Sequence, residues 1–173
     1  CDDNPAGILH HQEWGGGCLM DIGCYPVSLS RWLFQAEPIH VSAIFEDDPQ
    51  RGVDRAVAGV MRFPKGMASF TCSTQLPSLQ RVSVFGTRGR VELELPFNPP
   101  NDLAHRALLE VGGQGETVEF DVCDQYGVQA DLFSRAILDD TDIPIPIHDA
   151  VANMRVLDAL VRSRDFESRE QRG

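Results

Sequence analysis

The chain has 173 residues, of which 42% are hydrophobic and 24% are charged, and its net charge is −11 at pH 7. The length suits one ordinary domain with a buried core, and the composition is typical of a soluble globular protein, which argues against a disordered or fibrous chain. A surface this acidic disfavours nucleic acid as a partner, and no apolar run approaches the roughly 18–20 residues of a membrane span.

The five cysteines are Cys1, Cys18, Cys24, Cys72 and Cys123. Their number is odd and none forms a C-x-x-C pair, which argues against a disulfide framework or a structural zinc site and predicts a reducing, cytoplasmic location. Most of them are expected to be small buried side chains. The chain starts at Cys1 with neither a methionine nor a basic-then-apolar leader, so we expect a fragment without a secretory signal.

The first predicted helix follows a polar lead-in. Residues 1–14 are predicted to form a loop, and three consecutive glycines, 15–17, follow it. From Cys18 to Phe34 the apolar residues recur at spacings of three and four, which predicts a helix opened by the glycine turn. Pro26 lies inside this helix and predicts either a kink there or an irregular first turn.

The middle of the chain is predicted to form consecutive strands. Alternating or β-rich composition marks the ranges 39–45, 56–63, 67–73, 81–85 and 90–95. Residues 64–66 are a predicted hairpin turn. Residues 86–89 are a second one, which explains Gly86 and Gly89 without a ligand.

The last third of the sequence turns from strands to helices. Two short strands, 107–111 and 117–122, are predicted around a glycine-rich turn. One helix is predicted to end near Asp139. Another is predicted over 151–161, with Asp149 as its N-cap.

The order of these elements predicts the fold class. One helix, then a run of strands joined by short turns, then two helices is typical of an α+β fold, with a mostly antiparallel open sheet and helices packed on one face. A parallel sheet would need a helix between successive strands. Ser69 and Thr71 indicate a partly polar outer face, which we expect to be available for dimerisation.

The densest motif runs from Gly15 to Pro26. Three glycines let the backbone pass close to another group without a Cβ clash. Asp21 and Tyr25 are four residues apart, so on a helix they project from one face as a possible acid/base pair. From the residues alone, surface decoration is the more common reading of such a pair, and a plain loop is the more common reading of the glycines.

The stretch G-G-G-x-L-M-D-I-G-C-Y-P-x-x-L-x-R-W-L resembles the opening of the C-terminal domain of Gfo/Idh/MocA-type oxidoreductases. Weaker likenesses follow at 52–54, at 61–68, at 84–91 and in the last helix at 149–160. Together they cover nearly the whole chain. The resemblance implies that residues 1–173 form one substrate-binding and dimerisation domain, and that a Rossmann domain lies outside this chain.

The resemblance also implies a chemistry. Enzymes of the family transfer hydride between NAD or NADP and a sugar, a polyol or a trans-dihydrodiol. Asp21 matches the acidic member of the family's pocket pair and Tyr25 its proton-transferring member, as in the branch of glucose–fructose oxidoreductase and dimeric dihydrodiol dehydrogenase. Gly16 and Gly17 would line the cleft between substrate and cofactor.

A tyrosine titrates near pH ~10 and needs a nearby cation to act as a base. The family supplies a lysine in an E-K-P motif. This sequence has no E-K-P, and its only lysine, Lys65, lies in a turn. It also has no G-x-G-x-x-G after a strand. We therefore expect NAD or NADP to be bound mainly by the absent N-terminal domain, and this fragment to be inactive alone.

An alternative remains open, in which the chain is a non-catalytic relative that acts as a ligand-sensing, dimerisation or regulatory module. The histidines show no metal-like spacing, so no metal site is predicted. Arg31 and Arg81 could reach a polyol or a cofactor phosphate, but surface ion pairs are the more common role and are expected here. Trp14 and Trp32 are expected in the core or in an interface.

Overall fold

The computed structural model of the chain describes residues 7–170, with side chains described as far as residue 164. The chain folds as two compact units, the first comprising Cys1–Leu76 with Pro146–Gly173 and the second Pro77–Ile145. Within the described part of the chain, no helix has the length and the apolar character that crossing a membrane requires. The predicted α+β class with antiparallel pairing is confirmed, and the strands form two open sheets.

The first unit contains a three-stranded antiparallel sheet. Its strands are β1 (His40–Asp47), β2 (Asp54–Phe63) and β3 (Gly66–Ser73), in the order β1-β2-β3. The register pairs Ala43 with Gly59 and Gly59 with Phe70. Along β2 burial alternates with a period of two, as expected of a strand with one face in the core.

Two helical elements cover the inner face of this sheet. A turn of π-helix, Leu19–Gly23, continues into α1 (Cys24–Phe34), and α3 (Ile147–Glu170) packs mainly against β1 and α1. Fully buried side chains from both helices meet those of the sheet: Leu19, Val27, Val57, Met61, Leu157 and Leu160. Each such side chain stabilises the fold by about 1.5–3 kcal/mol relative to exposure, so this core holds the π-helical turn against the sheet.

The helix that contains Pro26 begins irregularly, as predicted. Pro26 has no N–H, so the regular bond to the carbonyl of Ile22, four residues earlier, cannot form. The backbone widens into the π-helical turn just before this point and reaches α geometry from Cys24 onward. Such single π-helical turns are uncommon and occur often at functional sites.

The prediction that Asp149 caps the last helix is wrong. The helix α3 begins two residues earlier, at Ile147, and Asp149 lies in its first turn. The carboxylate of Asp149 lies 3.0 Å from the guanidinium of Arg31. The expected start was too late, because a helix can begin directly after a proline and α3 begins directly after Pro146.

The outer face of the three-stranded sheet is exposed in the described chain. We define this outer face by Ile44, Ala58, Val60, Ser69 and Thr71, which are all exposed and adjoin one another across the strands. Ile44 is 65% exposed and Val60 is 52% exposed. The predicted partly polar face is therefore present, with the two hydroxyl groups on β3 and the apolar side chains on the neighbouring strands.

The second unit is a four-stranded antiparallel sheet followed by a helix. The strands β4 (Arg81–Gly86), β5 (Gly89–Glu94), β6 (His105–Val111) and β7 (Gln114–Phe120) pair in sequence order, and α2 spans Gln125–Leu138. Gly86 pairs with Gly89 at the predicted hairpin. Asp124 caps α2 by accepting bonds from the backbone N–H groups of Tyr126 and Gly127.

Candidate functional site

The glycine turn is fitted against the chain's own lead-in. A Cβ on Gly16 would lie 2.6–2.8 Å from the carbonyl oxygens of Ile8, Leu9 and His11. The N–H of Gly16 donates to the carbonyl of His11 at 2.9 Å, and that of Gly17 to the carbonyl of Leu9 at 3.1 Å. The expected close backbone approach is therefore present, and one partner in it is the lead-in backbone.

The second partner in this close approach is Asp54, the first residue of β2. Gly17 has a φ of +105°, and a Cβ there would lie 2.2 Å from Oδ1 of Asp54. The other carboxylate oxygen, Oδ2, accepts a hydrogen bond of 2.7 Å from the backbone N–H of Leu19. Asp54 thus satisfies one of the N–H groups that a helix leaves without a partner in its first turn.

Asp21 and Tyr25 lie on the solvent side of this helical segment. Asp21 is exposed within the π-helical turn, and Tyr25, the second residue of α1, is 41% exposed. Leu19, Gly23 and Val27, also spaced by four residues, are buried. The opposite burial of the two sets places the core face and the candidate site face on different sides of the same helix.

Two further contacts fix the backbone on either side of this pair. The N–H of Asp21 donates to the carbonyl of Gly17 at 3.3 Å. The side-chain amide of Asn153, on α3, donates to the carbonyl of Cys24 at 3.2 Å, while its Oδ1 is buried without a partner within the described residues. The site helix is therefore held by the glycine turn on one side and by α3 on the other.

Three of the thiols lie next to this segment. The Sγ atoms of Cys18 and Cys72 are 3.8 Å apart in the core, and both cysteines are free. The hydrogen bond to Cys72, burial and the nearby carboxylate of Asp54 raise the pKa of Cys18 well above its ordinary value. Burial and then the charge of Asp21 raise the pKa of Cys24. Cys18 and Cys24 are thus held as neutral thiols, unsuited to act as nucleophiles.

Arg31 forms the predicted ion pair, but the expectation of a surface position is wrong. Its side chain is 7% exposed, with its Nε 2.9 Å from one oxygen of Glu37 and its Nη2 2.7 Å from the other. It also binds Asp149 in α3. Arg81 does lie at the surface and pairs with Glu94 at 3.5 Å. Arg31 is therefore a buried link between α1 and α3.

The remaining candidates do not gather at the site. Trp14 is 55% exposed and Trp32 is 66% exposed, so neither lies in the core of the described unit. His10 lies 2.9 Å from a guanidinium nitrogen of Arg51, and the ring of His11 packs on Trp14. In the described range, no group of three His, Cys, Asp or Glu residues has the arrangement of a metal site.

Two residues beside the site were not predicted from the sequence. Asp54 belongs to the Gly52-Val53-Asp54 stretch, which stood out only as a resemblance, and nothing in its local pattern indicates a bond to a backbone 35 residues away. Asn153 is one polar residue in the predicted last helix. Both act across the fold, so their partners become evident only once the sheet and α3 are in place.

Comparisons with known proteins agree with this architecture. A model of the GFO/IDH/MocA C-terminal domain matches residues 2–92. An uncharacterized oxidoreductase, ORF334, of Rhizobium meliloti is 38% identical over 168 residues, which are 94% of this chain and 50% of that protein. D-xylose 1-dehydrogenase (NADP(+)) 2 of Haloferax volcanii is 32% identical over 164 residues, again 94% of this chain and 50% of the relative.

Among solved structures, that of aldose-aldose oxidoreductase from Caulobacter crescentus, complexed with glycerol, superposes with a TM-score of 0.84 at 24% identity. The match covers 95% of this chain and 50% of that one. At this identity the likeness establishes the fold. The chain spans about half the length of the curated relatives it matches.

Proposed function

This chain belongs to the GFO/IDH/MocA oxidoreductase family, because its residues 2–92 match the C-terminal domain of that family. We propose that it is the substrate-binding half of an NAD(P)-dependent oxidoreductase. The proposed substrate is the hydroxyl-bearing carbon of a sugar, a polyol or a trans-dihydrodiol. The observation that carries the proposal is the shared exposed face of Asp21 and Tyr25 behind the glycine turn. The similarity to a D-xylose 1-dehydrogenase supports the substrate class.

This chain can contact a bound nicotinamide cofactor, but it lacks the geometry to bind the cofactor's pyrophosphate. The glycine turn follows two short 3₁₀ turns and not a strand, so it lacks the strand-to-helix geometry that seats a pyrophosphate. We therefore propose that NAD or NADP is bound mainly by a nucleotide-binding domain outside these residues. When bound, the nicotinamide supplies or accepts the hydride. Gly16 and Gly17 are proposed to line the cleft on the substrate side.

The proposed role of Tyr25 is proton exchange with the substrate hydroxyl. A phenol can donate a hydrogen bond to the substrate oxygen and move its proton there or back as the carbon changes oxidation state. Asp21, one turn earlier on the exposed face, is proposed to accept a hydrogen bond from a second hydroxyl and so orient the substrate. A base near neutral pH needs a cation beside the phenol, and we propose that the nucleotide-binding domain supplies it.

We also propose that the full-length protein is a cytoplasmic homodimer or larger homo-oligomer, joined through the outer face of the three-stranded sheet. The support is the exposed apolar area there, centred on Ile44 and Val60, because apolar patches rimmed by polar groups often mark protein interfaces. The free thiols within the described residues are in keeping with a reducing compartment.

The decisive experiment is turnover by the full-length protein, followed as NAD(P)H absorbance with a panel of aldoses, polyols and trans-dihydrodiols. Tyr25→Phe should lower kcat by about a hundredfold or more, the range expected for loss of an acid/base group. Tyr126→Phe is the matched control, because Tyr126 is the other tyrosine and its hydroxyl contacts Asn98 in the second unit. Unchanged turnover in Tyr25→Phe would remove Tyr25 from the mechanism. Ligand binding without turnover in the wild type would favour the sensing module.

A further inference from the structure

We propose that Asp54 is a positioning residue for the Asp21/Tyr25 pair, acting from the sheet on the first turn of the site helix. By site helix we mean the π-helical turn Leu19–Gly23 together with α1. This inference rests on the function proposed for Asp21 and Tyr25. The juxtaposition behind it is the Asp54 carboxylate, which contacts Gly17 and accepts the N–H of Leu19.

The site helix needs a cap from elsewhere. Cys18, the residue before it, already has helical backbone angles and gives no side-chain cap bond. A helix start commonly receives such a bond from the residue at its own N-cap. Here the acceptor comes from Asp54, 35 residues further along the chain, at 2.7 Å from the Leu19 nitrogen. Asp54 therefore performs the capping role across the fold.

The carboxylate of Asp54 packs directly against the backbone of Gly17. The backbone of Gly17 is in the region of positive φ that favours glycine, and the carboxylate of Asp54 occupies the space that a side chain at Gly17 would need. The carboxylate thus contacts Gly17 and bonds to Leu19, two residues later. This two-point contact restricts both the rotation and the axial position of the helix start.

The restriction reaches the proposed catalytic pair through one backbone bond. The N–H of Asp21 donates to the carbonyl of Gly17 at 3.3 Å, so a shift of the glycine turn moves Asp21 with it. Tyr25 follows one turn later on the same segment. The position of both side chains is thereby coupled to the register of β2, whose first residue is Asp54.

The test uses the full-length protein and compares substitutions of Asp54 with one surface control. Asp54→Ala removes the acceptor, whereas Asp54→Asn keeps an amide oxygen that can cap a helix. We expect Asp54→Ala to lower kcat about ten- to hundredfold, as misplacement of reacting groups by about 1 Å does, with the KM for the cofactor unchanged. Asp54→Asn should restore most of kcat. Glu119→Ala is the control, because Glu119 pairs with Arg106 at the surface of the second unit.

Hydrogen exchange of the peptide covering 17–25, measured on the same full-length variants, makes the result independent of turnover. Exchange should be faster in Asp54→Ala and close to wild type in Asp54→Asn. If the wild type turns over none of the substrates, the proposed function fails, and the exchange result alone still decides whether Asp54 holds the helix. Equal kcat and equal exchange in Asp54→Ala and wild type would overturn the inference.

Asp54→Glu covers the case in which Asp54→Ala does not fold. It keeps the charge but moves the carboxylate by one methylene, so a hydrogen-bonding role predicts that Asp54→Asn is the more active of the two. If Asp54→Glu retained full activity and Asp54→Asn lost it, the charge and not the placed acceptor would matter, and the positioning role would be wrong.

Discussion

The Sγ atoms of Cys18 and Cys72 lie 3.8 Å apart and are shielded from solvent. Cys18 directly precedes the site helix, and Cys72 lies on β3. The hydrogen bond between them, their burial and the carboxylate of Asp54 raise the pKa of Cys18. Proximity of two thiols often suggests a disulfide, but attack requires a thiolate and access to the oxidant. Both are disfavoured here, so the pair acts as a packed, reduced contact.

We predict that thiol labelling of the native protein distinguishes the cysteines by burial. Among the cysteines that the structure describes, Cys123, which is exposed, should react first. Cys18 and Cys72 should stay unlabelled, because their reaction requires opening of the core. Peptide mapping by mass spectrometry assigns each site, and denaturant should make all of them reactive. Fast native labelling at Cys18 would contradict the burial and the raised pKa.

A second prediction concerns Gly17. Gly17→Ala should destabilise the fold by about 1–3 kcal/mol, because it combines a strained positive φ with a clash against Asp54. Gly52→Ala is the matched control, because Gly52 also has a positive φ but has open space where a Cβ would lie. Urea unfolding measures both. The double variant Gly17→Ala/Asp54→Ala should be less destabilised than the sum of its single changes, and strict additivity would show that the two residues do not interact.

A third prediction concerns the buried guanidinium. Arg31→Met should cost about 1–3 kcal/mol, less than stranding a fully buried charge, because Glu37 and Asp149 are partly exposed and can be hydrated. The exposed pair of Arg106 with Glu119 gives the control, and Arg106→Met should change the free energy of unfolding by roughly 0–1 kcal/mol. A cost for Arg31→Met as small as this control would contradict the structural role of Arg31.

The ion pair of Arg31 with Glu37 also predicts that the free energy of unfolding depends on pH. Hydrogen bonds from Arg31 hold the pKa of Glu37 below its usual value. The ion pair therefore stabilises the fold fully above about pH 4.3, the pKa of a glutamate in the unfolded chain. This stabilisation is lost as the pH falls through the lower pKa that Glu37 has in the folded protein. As the pH falls from about 5 through the lowered folded-state pKa of Glu37, wild type should lose more stability than Arg31→Met. Asp48, whose pKa is also lowered, by bonds from the backbone of Gln50 and from Gln75, contributes equally to both proteins.

A fifth prediction concerns assembly. Val60→Lys places a charge in the middle of the outer face, and charged residues are depleted in the core of protein interfaces. The variant should therefore convert the proposed full-length oligomer to monomers in sedimentation velocity. Leu79→Lys, at an exposed apolar residue before β4, should leave the assembly unchanged. An oligomer that survives Val60→Lys with unchanged affinity would place the interface elsewhere.

Local patterns were sufficient to predict much of the fold. Alternation along 90–95 and the glycines at 86 and 89 predicted the hairpin that the structure contains. Pro26 predicted an irregular helix start because the loss of one backbone donor is a local fact. The boundary between the two sheets was not predicted, because it depends on which strands pair, and each strand of the run reads alike from its own residues.

The exposed residues of the candidate site were predicted from the sequence, whereas Asp54 and Asn153, which hold the backbone beside them, were not. Asp21 and Tyr25 stand out by spacing and by resemblance, and their roles stay proposals. Arg31 was expected at the surface because an isolated arginine is usually exposed. Its burial depends on the carboxylate of Glu37 in a loop and on the carboxylate and backbone carbonyl of Asp149 in α3, 118 residues away. Trp32 was expected in the core or in an interface. Its exposure on α1 excludes the core, and the interface stays a prediction.

The bond between Leu19 and Asp54 also constrains how the protein can fold. Loop closure between distant residues is slow and entropically costly compared with local helix formation. Until β2 has docked, the start of the site helix lacks its acceptor and competes with unfolded alternatives. The arrangement of Asp21 and Tyr25 is thus completed only with the sheet, so a partly folded chain would present a tyrosine and a carboxylate without the geometry that makes them a pair.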